Sequence, residues 1–116
     1  MKKRKPPKNM VYYSSQLTPG GTQVLPVKPL WLIDFPESPK YRFFLYHSET
    51  QHAYFVLEVT TGMGVSSNKP ATQKDALEKA AANLKLYAAD FDKIVADFIK
   101  KHGAAPSPHK EEPEQC

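Results

Sequence analysis

The chain has 116 residues, enough for a single domain. No apolar run is long enough for a signal core or a membrane span, so the sequence predicts a soluble, intracellular protein, cytoplasmic or nuclear. The formal net charge of +4 is unevenly spread. Residues 1–30 hold six bases and no acid, residues 31–103 hold nine of each, and residues 104–116 hold one base and three acids. A basic balance raises the expectation of a polyanion partner, but here only for the leading segment. The lone cysteine, Cys116, excludes an internal disulfide or a cysteine metal site and fits a reducing compartment.

In chain order, residues 1–9 are predicted to be a basic, disordered tail. KKRKPPK at residues 2–8 cannot bury enough apolar surface to offset ordering. Lys2, Lys3, Arg4 and Lys5 match both a simple nuclear-import pattern and a phosphate-attracting arm. Residues 10–103 form the single expected domain, and residues 104–116 a second disordered tail. Met10–Tyr13 and Thr22–Val27 read as short strands joined by a Thr-Pro-Gly-Gly turn, and Pro26 and Pro29 restrict them to edges. Leu30–Phe35, LWLIDF, is apolar on both faces and reads as a buried strand or a short helical turn.

Tyr41–His47 is aromatic on both faces. That suits a central strand, or one whose second face meets something else. His52–Thr61 alternates: Phe55, Leu57 and Val59 share one face, and Tyr54, Val56, Glu58 and Thr60 the other. The short polar Ser48–Gln51 between them signals a hairpin.

After Gly62 and Gly64, Thr72 reads as a helix N-cap with Asp75 three residues on. Leu77, Ala81, Leu84, Ala88, Phe91, Val95 and Phe98 then recur at helical spacing up to Gly103. One helix over residues 73–102 would be about 45 Å long, against a strand length of about 20 Å. Either the helix breaks near Ala89–Asp90, with Asp90 capping a second one, or its end packs on a partner. The expected fold class is α+β: a small antiparallel sheet of about three strands, packed by a long carboxyl-terminal helix or two consecutive helices.

The sequence offers little catalytic chemistry. His47 and His52 flank the hairpin turn without further metal ligands. Ser66 and Ser67 lack a nucleophile-elbow pattern, and Gly62-Met63-Gly64 is too short for a dinucleotide fingerprint. Asp90, Asp92 and Asp97 alternate with lysines as a solvated face does. The chain is therefore read as non-enzymatic, with no cofactor and no metal.

A helix N-terminus presents backbone N–H groups that attract anions, and Lys69 and Lys74 add charge beside it. The run His52-Ala-Tyr-Phe-Val-Leu-Glu-Val, then Gly62-Met-Gly64, Ser66-Ser-Asn68-Lys69, Lys74-Asp-Ala76 and Ala80-Ala81 resembles the carboxyl half of a double-stranded RNA-binding domain of the RNA helicase A (maleless) type. The resemblance spans about residues 39–84, and Pro39-Lys-Tyr41 is similar to the family's lead-in to its first strand.

The resemblance implies an α-β-β-β-α fold that spans duplex RNA. Lysines at the start of its last helix would meet phosphates, and a loop histidine would enter a minor groove. Residue by residue, it carries over to His52, Asn68, Lys69 and Lys74, with Lys79 one turn further on. In this chain LWLIDF is too short for the family's first helix, and Pro70–Gln73 separates Lys69 from Lys74. The alternative reading is a protein-interaction or dimerisation module. It would use Leu84, Phe91 and Phe98 on the long amphipathic helix, together with the aromatic strand 41–46.

Overall fold

The computed structural model describes residues 1–66 and 69–110. The chain is an α+β protein. Its strands are β1 (Lys2–Arg4), β2 (Met10–Thr18), β3 (Gly21–Val27), β4 (Trp31–Asp34), β5 (Phe43–Ser48) and β6 (Ala53–Glu58). Helices α1 (Gln73–Leu86) and α2 (Phe91–His102) follow, and then the two-residue strand β7 (His109–Lys110). One antiparallel sheet has the order β1-β4-β5-β6, and a second has the order β3-β2-β7. Among the described residues no helix is long and apolar enough to cross a membrane.

The first sheet is covered on both faces, which accounts for its two-sided apolar strands. Successive residues of a strand point to opposite faces. Phe43 and Leu45 of β5 join Ile33, Val56, Leu77 and Phe91 in the core under the helices. Phe44 and Tyr46 join Tyr12, Leu57 and Val59 in a second core under the β2–β3 hairpin. The "something else" on the second face of β5 is therefore this hairpin. Tyr12 and Phe44 rings meet at 4.9 Å and Tyr46 stacks on Phe55 at 5.7 Å. Residues 12–18 pair with 21–27 across a two-residue turn, so the strands run longer than Met10–Tyr13. Pro26 lies in the outer strand β3, where a missing N–H is tolerated.

LWLIDF supplies strand β4 and not a helix. It lies between β1 and β5 and buries Ile33 completely. At the opposite side of the sheet, residues 63–66 run beside β6. The Glu58 N–H donates to the Met63 carbonyl at 3.0 Å, the Val65 N–H to the Val56 carbonyl at 2.8 Å, and Leu57 bridges Gly64. The turn before them closes on Glu58, whose buried carboxylate accepts from the Thr60 N–H (2.6 Å), the Thr61 N–H (2.9 Å) and the Thr61 hydroxyl (2.9 Å).

The α+β expectation holds, and the structure adds to it in the sheets and at both ends of the chain. The sheet has four strands, with a further three-stranded one beyond it. The first nine residues contain β1, because the outer edge of β4 accepts a partner: Lys3 lies opposite Ile33 and Arg4 opposite Leu32. Residues 104–110 form a strap back across the protein. The Ala105 N–H donates to the Thr60 carbonyl at 2.8 Å, and β7 pairs with β2. Residues 111–116 lie outside the described residues.

Thr72 caps α1, its hydroxyl accepting the Asp75 N–H at 3.1 Å. The helical stripe breaks where one of the two expectations put it, between Leu86 and Phe91. Asp90 holds the N-cap position of α2 without a side-chain capping bond. Ala88 is exposed and anchors nothing, while Phe91 and Val95 return to the core.

Candidate nucleic-acid interface

Alternation along β1 divides the basic arm between two faces. Lys3 pairs with Ile33 and so shares the face that the helices cover. Its Nζ sits 5.0 Å from the Trp31 ring centroid, a cation–π contact. Lys2 and Arg4 take the opposite face, where Arg4 pairs with Asp34 at 3.2 Å. Lys5 is exposed just past β1. Because β1 runs antiparallel to β4, and β4 to β5, this end of β1 faces the end of the sheet that carries the β5–β6 turn.

That same end holds the start of α1. The Tyr54 N–H donates to the Pro70 carbonyl at 2.9 Å, which ties the loop before α1 to the beginning of β6. His52 is exposed in the β5–β6 turn with a left-handed φ of 53°, and Lys69 and Lys74 are exposed on the loop and the first helical turn. Between β1 and α1 lies an open groove of about 520 Å³. Leu77 and Ala81 line it together with Met1, Lys3, Lys74 and Glu78. Lys3 from the arm and Lys74 from the helix start therefore share one groove. Neither Lys69 nor Lys74 pairs with a carboxylate among the described residues.

The remaining expected residues are placed less favourably. Lys79 is held by Asp75 one turn back, at 3.2 Å, so part of its charge is already compensated. Asn68 lies outside the described residues. Leu84 and Phe91, expected on an interaction face, are buried in the core under the helices at 1% and 6% exposure. Phe98 lies off that core, half-buried, with its ring 4.9 Å from that of His102.

Two features escaped the sequence reading. Trp31 as a partner for Lys3 depends on the β1–β4 pairing, which a basic segment with prolines does not advertise. The available signal was LWLIDF itself, whose apolar character on both faces marks a strand inside a sheet covered on both faces, where each edge is expected to find a partner. The second feature is a polar clamp. The Tyr41 hydroxyl donates to Asp92 Oδ1, and Lys40 Nζ lies 3.1 Å from the same oxygen. The bond to Asp92 pushes the Tyr41 phenol up to about 12, and the same bond holds the Asp92 carboxyl below its usual range. Burial raises the Tyr12 phenol, against the opposing fields of Arg42 and Arg4. The clamp is an anchor for α2: Tyr41 also meets Phe91 edge-on at 4.9 Å.

Among the described residues no three histidine, cysteine or carboxylate side chains converge as metal ligands would. The chain matches no known protein-family model, no curated protein and no solved structure.

Proposed function

We propose that the chain is a non-enzymatic RNA-binding module that holds the phosphates of duplex RNA along the groove between β1 and α1. The observation that carries this reading is the meeting of Lys3 and Lys74 in one groove, with Lys69, which pairs with no carboxylate among the described residues, in the loop that leads into α1. Amide groups at the α1 N-terminus add a favourable dipole for an anion. His52 stands on the same end of the sheet, as the resemblance to double-stranded RNA-binding domains requires of a groove-entering histidine. Residues 31–103 carry equal numbers of bases and acids, so affinity depends on these few lysines rather than on a general field. A protein-docking role through Leu84 and Phe91 would have to draw both out of the core.

The test is an electrophoretic shift with a duplex RNA of about 16 base pairs, the DNA duplex of the same sequence, and single-stranded RNA. Three phosphate contacts predict an affinity loss of about 40-fold for a fourfold rise in salt. The double variant Lys69→Glu/Lys74→Glu and the single variant Lys3→Glu should each weaken binding to duplex RNA and flatten its salt dependence. Lys79→Glu should do less. Wild-type affinity in the Lys69/Lys74 variant would remove the groove from the reading.

A further inference from the structure

β1 is the outer strand of its sheet, and the ladder fixes which of its backbone groups face outward. In an antiparallel pair, successive residues turn their N–H and C=O groups to opposite sides. The Val59 N–H donates to the Arg42 carbonyl at 2.9 Å, so Arg42 bonds toward β6 and Phe43 toward β4. Ile33, opposite Phe43, bonds back toward β5, which leaves Leu32 and Asp34 to bond with Arg4 and Lys2. Lys3 lies between those two. Its N–H and C=O therefore point out along an edge that no strand occupies among the described residues.

The surroundings of this edge specify what fits it. A residue paired with Lys3 shares its face of the sheet, and on that face the groove opens between β1 and α1, lined by Leu77 and Ala81. An apolar side chain entering there removes apolar surface from water. The residues on either side of it turn to the other face, beside Lys2 and Arg4. Arg4 already holds Asp34, whereas Lys2 pairs with no carboxylate among the described residues, and both are exposed. A second copy of this strand is a poor occupant. Pairing two β1 strands about Lys3 sets Lys3 against Lys3 and Lys2 against Arg4, and like charges directly opposite destabilise a ladder.

We propose that β1 is a docking edge for an extended peptide of a partner protein, one whose apolar residue is flanked on each side by an acidic one. The peptide adds as the outermost strand of the sheet. Its main chain exchanges hydrogen bonds with Lys3, its apolar side chain enters the groove, and its acids lie beside Lys2 and Arg4. The charge complementarity selects an acidic partner, and the alternation selects an extended one. The docking does not rest on the RNA-binding reading. The two occupants would exclude each other, since both use the groove that Lys3 and Lys74 line.

The probe is a synthetic peptide with the run Asp-Val-Asp-Leu-Asp-Val-Asp, titrated into the full chain and followed by the anisotropy of a label on the peptide. A peptide of the same composition with acids and apolar residues in separate blocks should bind at least about 10-fold more weakly. So should the alternating peptide N-methylated at its Val and Leu residues, which keeps every charge but lacks the donors. Equal binding by all of them would reduce the contact to charge attraction and overturn the proposal, as would no binding by the alternating peptide. On the protein side, Lys3→Gln removes the charge alone. Lys3→Pro also removes the outward N–H, at an edge position where proline is tolerated. Affinity should fall about 3- to 10-fold further in Lys3→Pro than in Lys3→Gln, and equal losses would overturn the main-chain pairing. No RNA enters these titrations, so failure of the RNA-binding reading and failure of the docking are read separately.

Discussion

Gly62 stands at the closest approach between the hairpin layer and the turn after β6. Its φ is +72°, and a Cβ there would lie 2.8 Å from the Tyr13 carbonyl oxygen and 2.9 Å from the Ser15 nitrogen. The glycine's own carbonyl accepts the Ser15 N–H at 2.9 Å, so neither strand nor turn can retreat without losing a bond. Gly64, two residues on, meets only Leu57 Cδ2 at 3.6 Å and needs no left-handed backbone. Gly62→Ala should therefore destabilise the protein by about 2–4 kcal/mol, and Gly64→Ala by less than about 1 kcal/mol. Urea unfolding of the two variants checks the contrast, and equal losses would contradict it. A turn at Gly62-Met63-Gly64 was legible in the sequence. The reason for this particular glycine was not, because its neighbours Tyr13 and Ser15 lie 47 or more residues earlier in the chain. The same holds for Glu58. Its alternation with Val56 was readable, but its burial under the turn follows from three local hydrogen bonds that hydropathy does not encode.

The helices were the most legible elements, since periodicity, the Thr72 cap and the Gly103 stop are all local signals. What periodicity could not supply was the clamp that holds α2 to the lead-in of β5. The clamp joins a neutral phenol to an ionised carboxylate, and each partner limits it on one side of the pH scale. Asp92 has a lowered folded pKa, so its contribution is present above the ordinary carboxylate value of 3.8 and is lost as pH falls through the folded value. Tyr41 has a raised folded pKa, so its contribution is complete below about pH 10 and is lost as pH rises through about 12. Tyr41→Phe should accordingly be less stable than the parent by a constant margin between about pH 5 and pH 9. The margin should shrink toward acid as Asp92 protonates and toward alkali as the phenol ionises. Paired thermal melts across pH follow the margin. A spectrophotometric titration should show that the variant has lost a tyrosine ionising at about 12. A margin that stays constant down through the titration of Asp92 would show that this carboxylate is not the acceptor.

At the scale of the whole molecule, the sheet serves two cores at once, and the aromatic run Phe43-Phe44-Leu45-Tyr46 is where they meet. All four residues are buried, in alternation toward the helices and toward the hairpin. The sequence displayed this two-sidedness plainly. It could not say that the second cover was the β2–β3 hairpin, because short edge strands around Pro19, Gly20, Gly21 and Pro26 carry no local sign of the face they will cover. β1 was hidden for a related reason: its lysines and arginine match a tail composition, and only the unfilled edge of β4 recruits them. If both layers depend on one sheet, damage to either core should unfold the whole protein together. Phe43→Leu and Phe44→Leu keep most of the apolar volume and should each cost about 1–2 kcal/mol. Phe44→Ala should cost about 3–5 kcal/mol, a large share of the roughly 5–15 kcal/mol that holds a small domain. The leucine variants are thus the informative ones. In Phe44→Leu, amide exchange of the paired residues 12–18 and 21–27 should accelerate by the same factor as exchange within α1, and Trp31 fluorescence should report the same urea midpoint as the helical signal. Exchange that accelerates in the hairpin alone would instead mark it as a layer that opens independently. Lys3 and Lys74 would then keep their places across the groove while the hairpin opened.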